Sequence, residues 1–149
     1  MGIKNRINVQ EYVWDFAVDG GAQGTFDLSA KDGANLIPVG AVVTEVTAIV
    51  LTEVDSAADG STIIYGPTAD ADGYSGTTPL AEAGLGAGTI YNGGSIAAPL
   101  LWDDTNDHQI YHLVDAANDQ DFVVTLAGED ATAGKIVFVV EYYFPSVEA

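Results

Sequence analysis

The clearest structural signal in the chain is the stretch Lys135-Ile136-Val137-Phe138-Val139-Val140-Glu141-Tyr142-Tyr143-Phe144. Ile136, Phe138, Val140, Tyr142 and Phe144 alternate with Val137, Val139, Glu141 and Tyr143. A period of two puts successive side chains on opposite faces, so the stretch reads as a strand and not as a helix. Both faces are largely apolar. The aromatic end, Tyr142, Tyr143 and Phe144 before Pro145, carries more apolar area than one face of a sandwich needs.

The same period recurs toward the N-terminus. Tyr12, Trp14, Phe16 and Val18 alternate with Glu11, Val13, Asp15 and Ala17, which predicts a strand over 11–18. A short strand is expected at Thr25–Leu28, with Gly20-Gly21 as the loop of a hairpin between the two. The longest strand is expected from Ala41 to Val54, entered through the turn Ile37-Pro38-Val39-Gly40. Val42, Val46, Ala48 and Val50 share one of its faces. Val43, Ile49 and Leu51 share the other, where Glu45, Thr47 and Glu53 interrupt, so that face is expected to be half covered. Ser61–Tyr65 is a further β-branched run. From Pro67 to Gly94 the chain is rich in Gly and Ala and reads as an irregular central excursion. One helical turn is expected at Leu80–Gly84 and one short strand at Thr89–Tyr91. Strands are also expected at Ile96–Trp102, Gln109–Val114 and Phe122–Leu126.

About eight or nine strands with no helical stripe and no βαβ alternation predict an all-β fold. The expected architecture is an antiparallel β-sandwich, jelly-roll-like, formed by a single domain over 11–149 with an extended arm over 1–10. A chain of 149 residues is long enough to bury a substantial core.

Charge narrows the function. Four Lys and Arg stand against 22 Asp and Glu, a net charge of −18. A phosphate backbone requires dense basic side chains, so direct nucleic-acid binding is not expected. No run approaches 18 apolar residues, and the basic start has no apolar run behind it, so neither a membrane span nor a signal peptide is expected. The absence of cysteine removes disulfides, thiolate metal sites and Cys nucleophiles. Two of the four basic residues, Lys4 and Arg6, lie in the first six positions, so the arm is the one net-positive stretch on an acidic body.

Catalytic patterns are missing. His108 and His112 have the spacing of a helical zinc motif, but Gln109 stands where the Glu would be and the segment reads as a strand. Residues four apart on a strand are separated by about 13 Å, too far for one ion. No GxSxG elbow occurs, and Gly84-Leu85-Gly86-Ala87-Gly88 lacks the Lys of a phosphate loop. No cofactor is expected. Calcium is the one ligand that the composition allows, through Asp55 and Asp59, Asp70 and Asp72, the group Asp103, Asp104 and Asp107, or the group Asp115, Asp119 and Asp121. Solvated turn aspartates are the plainer reading of each.

Three segments carry a resemblance: Tyr12-Val13-Trp14-Asp15-Phe16-Ala17-Val18-Asp19-Gly20-Gly21, Ile37-Pro38-Val39-Gly40-Ala41-Val42-Val43-Thr44-Glu45-Val46, and Thr132-Ala133-Gly134-Lys135-Ile136-Val137-Phe138-Val139-Val140-Glu141-Tyr142-Tyr143. In these the chain resembles the small acidic β-proteins that decorate the heads of tailed bacteriophages. The resemblance implies a non-catalytic capsid decoration or cement protein on the outer surface of the virion. It implies the major capsid protein as partner, a homo-oligomer (commonly a trimer), and an extended terminus that clamps the shell. Lys4, Arg6, Ile7 and Val9 are then the expected capsid contacts, and Tyr142, Tyr143 and Phe144 the expected subunit interface. Two other classes compete. A carbohydrate- or receptor-binding sandwich would use exposed Tyr65, Tyr74, Tyr91 or Trp102 as stacking platforms. A cupin-type metal enzyme would need more convergent histidines than two.

Overall fold

In the computed structural model, residues 6–31, 33–76, 79–92 and 112–145 are described. The period-two segments form nine strands among them: β1 (Asn8–Asp15), β2 (Gly24–Asp27), β3 (Val42–Ser56), β4 (Thr62–Gly66), β5 (Leu80–Ala81), β6 (Ile90–Asn92), β7 (His112–Leu113), β8 (Val123–Ala127) and β9 (Ala131–Tyr143). One sheet has the order β1-β9-β3-β6 with β7 also paired to β3, and the other has the order β2-β8-β4-β5. Every pairing is antiparallel. With the two-residue β7 set aside, this is the strand order of an eight-stranded jelly roll, in which the chain passes back and forth between facing sheets. The two sheets are called here the long sheet and the short sheet.

The expected hairpin at Gly20-Gly21 is not formed. β1 pairs with β9 in the long sheet, and β2 pairs with β8 in the short one. The cause is local. The Asp15 carboxylate accepts the N–H of Ala17 at 3.0 Å and caps a single helical turn, α1 (Phe16–Asp19), which ends the strand before Phe16. Lys31 then clasps that turn, its ammonium donating to the Val13 carbonyl at 2.7 Å and to Asp19 at 2.9 Å. The chain is thereby turned from one sheet to the other. Gly21 lies where the crossover passes β9: a Cβ there would stand 2.0 Å from the Ala131 carbonyl oxygen. Close approach of backbone, not hairpin geometry, is what this glycine provides.

Three of the residues assigned to the arm over 1–10 are part of a strand. Asn8, Val9 and Gln10 pair with Tyr142, Glu141 and Val140, so residues 8–10 belong to β1 and not to a free arm. The central excursion is also more ordered than its composition suggests. It contributes β5, a one-turn 3-10 segment at Glu82–Gly84, and β6, which corresponds to the strand expected at 89–91. The strand expected at 96–102 lies outside the described residues, as do residues 109–111 of the one expected at 109–114.

Between the sheets lies an aromatic core. Phe122 stacks on Tyr12 with centroids 4.8 Å apart and planes at 11°, and also meets Tyr65, Tyr74 and Phe138. Trp14, Val46, Ala48, Val50, Ile136 and Val140 extend it along the long sheet, and Ile63, Val124 and Leu126 along the short one.

Candidate functional site

Two regions gather the residues that the sequence singled out. The first is the pole where the chain ends meet. Asn8 stands opposite Tyr142 on β9, and Val42 and Val43 of β3 stand opposite Tyr143 and Tyr142. The expected capsid contacts Ile7 and Val9 and the expected interface residues Tyr142, Tyr143 and Phe144 therefore come together at one end of the long sheet. Ile7, Val9 and Phe144 are exposed large apolar side chains. Tyr142 packs partly against the core and meets Phe144 edge-on, with centroids 6.0 Å apart. Lys4 lies outside the described residues.

The second region is the turn from β3 to β4. Carboxylate oxygens of Asp55, Asp59 and Glu82 lie within 4.8 Å of one another. They border a cleft of about 250 Å3 that Glu53, Val54 and Ala83 also line. Sequence reasoning named Asp55 and Asp59 but missed Glu82, which arrives on the 3-10 turn after β5. Its carboxylate accepts the N–H groups of Ser56 at 2.9 Å and Ser61 at 3.0 Å, together with the Ser56 hydroxyl. Glu129 closes the other side by accepting the N–H groups of Ala58 and Gly60, and it shares the single Ser56 hydroxyl proton with Glu82. These bonds, the Ser56 hydroxyl foremost, hold the Glu129 carboxyl below its ordinary range. A carboxylate has about four lone-pair positions, and three donors already engage Glu82. The arrangement serves first to tie down the crossover between sheets. It leaves a sparse donor set for calcium, which takes six to eight oxygens.

The other acidic groups are likewise engaged in turns. Asp72 accepts backbone N–H groups of Ser75 and Gly76 through its own carbonyl, closing the turn after β4. Asp121 accepts the N–H and hydroxyl of Thr68. Asp119 faces His112 at 3.9 Å, and His112 Nδ1 is 3.0 Å from the Tyr74 hydroxyl. The Asp103, Asp104 and Asp107 group, His108 and Trp102 lie outside the described residues. Tyr65, Tyr74 and Tyr91 are buried and belong to the core, so none is a platform for a sugar ring. They fill the space between two curved sheets, a role that period-two reading cannot tell from display on a loop. No helix among the described residues is long and apolar enough to cross a membrane.

Comparison with known proteins turns on this architecture, because no family model and no curated protein sequence matches the chain. A chain of the cyanophage Pam1 capsid asymmetric unit superposes with a TM-score of 0.63 at 18% identity, over 97% of this chain and 89% of that one. A chain of the acid-stable capsid structure of Helicobacter pylori bacteriophage KHP30 superposes with a TM-score of 0.57 at 13% identity, over 99% of this chain and 97% of that one. The fold is shared with chains of two bacteriophage capsids. In both the likeness spans nearly the whole of each chain, so it covers the complete jelly roll and not a fragment of it.

Proposed function

We propose that the chain is a structural, non-catalytic protein of a phage virion that decorates the outer surface of the capsid and cements it by bridging neighbouring capsomers. The observation that carries this reading is the whole-chain likeness to two capsid chains at identities too low for recent common ancestry to be read from sequence. Its partners are then the major capsid protein and further copies of itself, as a trimer. Lys4, Arg6, Ile7 and Val9 contact the shell, and Tyr142, Tyr143 and Phe144 contact neighbouring copies. The mechanism is mechanical: bridging contacts must break before the shell can open. The net charge of −18 keeps decorated particles dispersed. The alternative of a carbohydrate-binding module loses support from the burial of Tyr65, Tyr74 and Tyr91.

Deleting residues 1–7 tests the arm without disturbing β1, which begins at Asn8. Binding to empty phage heads, followed by co-sedimentation, is expected to weaken at least tenfold while the thermal midpoint stays unchanged. Undiminished binding discards the arm as a clamp. The reading takes no resident cofactor. Calcium titrated into chelator-treated protein is therefore expected to give no calorimetric heat below about millimolar concentration, the range of weak extracellular sites. Heat at micromolar calcium, lost in Asp55→Asn, would give the Asp55, Asp59 and Glu82 cluster a ligand after all.

A further inference from the structure

The outward faces of the two sheets differ in kind. The short sheet shows water Thr25, Thr62, Thr125 and Asp27, with the Thr25 and Thr125 hydroxyls 3.0 Å apart. On the long sheet, pairing brings Val13, Val137, Ile49 and Ile90 into one row across all four strands. At about 4.8 Å between strands, the row runs about 15 Å. Ile90 is 61% exposed, and Leu51 and Val9 add further apolar area at 53% and 54%. Val13, Val137 and Ile49 are half-buried beside Ile90, and an apolar row left partly open to water in this way marks an interaction site.

Charge selects the occupant. Along the face, beyond a row of Glu11, Val139 and Thr47, Glu45 of β3 stands directly opposite Glu141 of β9, with Val9 on the far side of Glu141. Burial, and then the neighbouring Glu45 carboxylate, raise the Glu141 carboxyl above its ordinary range. Like charges directly opposite across strands are destabilising. The cation of the face among the described residues, Lys135, is already paired with Asp15 at 3.3 Å. A second copy laid on this face would bring the same acidic rim and another net charge of −18. A basic side chain would instead relieve the carboxyl pair.

We infer that the outer face of the long sheet is the docking surface for the capsid shell, with the Val13–Val137–Ile49–Ile90 row against an apolar strip of the shell protein and the Glu45–Glu141 pair receiving an Arg or Lys from it. This rests on the reading of the chain as a capsid protein and adds the face by which it lies down. Val9 lies on the same face beyond Glu11 of β1, toward the pole where Tyr142 and Tyr143 stand, so residues of the arm and the face grip the same partner.

The test is co-sedimentation of purified protein with empty phage heads. The double variant Ile49→Asp/Ile90→Asp is expected to bind about 100-fold more weakly than wild type, the scale of losing central apolar anchors. Glu45→Gln/Glu141→Gln gives an independent readout with opposed signs. Its thermal midpoint should rise, because the repulsive pair is gone, while its binding falls about tenfold and loses part of its salt dependence. Wild-type protein that fails to bind heads overturns the capsid reading and this inference with it. Wild type that binds, alongside an Ile49→Asp/Ile90→Asp variant within threefold of it, overturns the docking face alone. A fall in molar mass by light scattering in that variant would assign the row to contacts between copies and overturn the shell as its occupant.

Discussion

Phe122→Ala is expected to lower the free energy of unfolding by about 4 kcal/mol, the middle of the range for deleting a buried phenyl ring. The ring is fully enclosed and stands where the sheets meet. Tyr12 of β1 and Phe138 of β9 touch it from the long sheet at centroid distances of 4.8 and 5.1 Å. Tyr65 of β4 touches it from the short sheet at 6.1 Å, and Tyr74 from the following loop at 6.0 Å. Its removal forfeits four aromatic contacts at once, each worth roughly 1 kcal/mol beyond area burial where geometry is good. The cavity cannot collapse, because its walls are strands locked in ladders. The backbone here also helps join elements: the Phe122 carbonyl accepts the N–H of Leu28 at 3.0 Å. Urea unfolding should show the midpoint falling sharply with little change in slope. Phe122→Leu, which keeps most of the volume, is expected to cost about 1.5 kcal/mol or less. A loss below 1 kcal/mol for the alanine variant would mean that the sheets repack without the ring.

Acidification is expected to remove about 3 kcal/mol of stability through His112 alone. The imidazole is 3% exposed, and burial holds its pKa down from 6.5 to about 4, partly opposed by the Asp115 carboxylate. The unfolded chain therefore takes up the proton more readily than the folded one. The stabilisation is complete above pH ~6.5, falls as pH drops from ~6.5 to ~4, and is flat below, at about 1.4 kcal/mol per pH unit. Among the groups facing the ring are the Tyr74 hydroxyl and the Asp119 carboxylate. Asp119 works in the opposite direction. Burial, then Asp115, raises its carboxyl, so the folded state gains from its protonation as pH falls. Comparison of His112→Gln with wild type isolates the histidine. The variant should lose markedly less stability than wild type between pH 7 and pH 4 in denaturant titrations. Parallel pH profiles would show that His112 is protonated in the folded protein without penalty. Structurally, the charge would appear in β7, whose pairing of His112 with Val43 fastens the chain to β3.

The all-β class was legible because period two is a short-range property that each strand carries within itself, and the jelly roll was expected on strand count alone. Pairing was not. Asp15 and Gly21 look like strand and hairpin loop in isolation, and only the capped turn at Phe16–Asp19 and the closeness of Ala131 reveal a crossover. Val43 was assigned to the outer face with Ile49, yet it is fully buried. A bulge between Val43 and Glu45 inserts Thr44 and shifts the alternation by one, which an unbroken apolar run conceals. Glu82 was invisible as a member of the acidic cluster because it is 23 residues beyond Asp59 in sequence and comes near it only when β5 pairs with β4. The apolar row on the long sheet was half visible. Ile49 and Leu51 were recognised as a face, but Val13, Val137 and Ile90 join them only through register.

The position of β9 has a consequence for the timing of biosynthesis. The last in sequence of the nine described strands is not at an edge: it fills the slot between β1 and β3. At about 5–20 residues per second, β1 waits on the order of ten seconds or more for β9, its one partner among the described residues. Until then the nascent chain holds two strands with bare backbone edges and an unsealed aromatic cluster, the kind of surface that recruits other chains. Much of the order of the long sheet must therefore be gained only after β9 has emerged. Chains truncated before residue 131 would lack the strand on which that sheet is assembled. The interval between emergence and closure is the period of greatest exposure to aggregation.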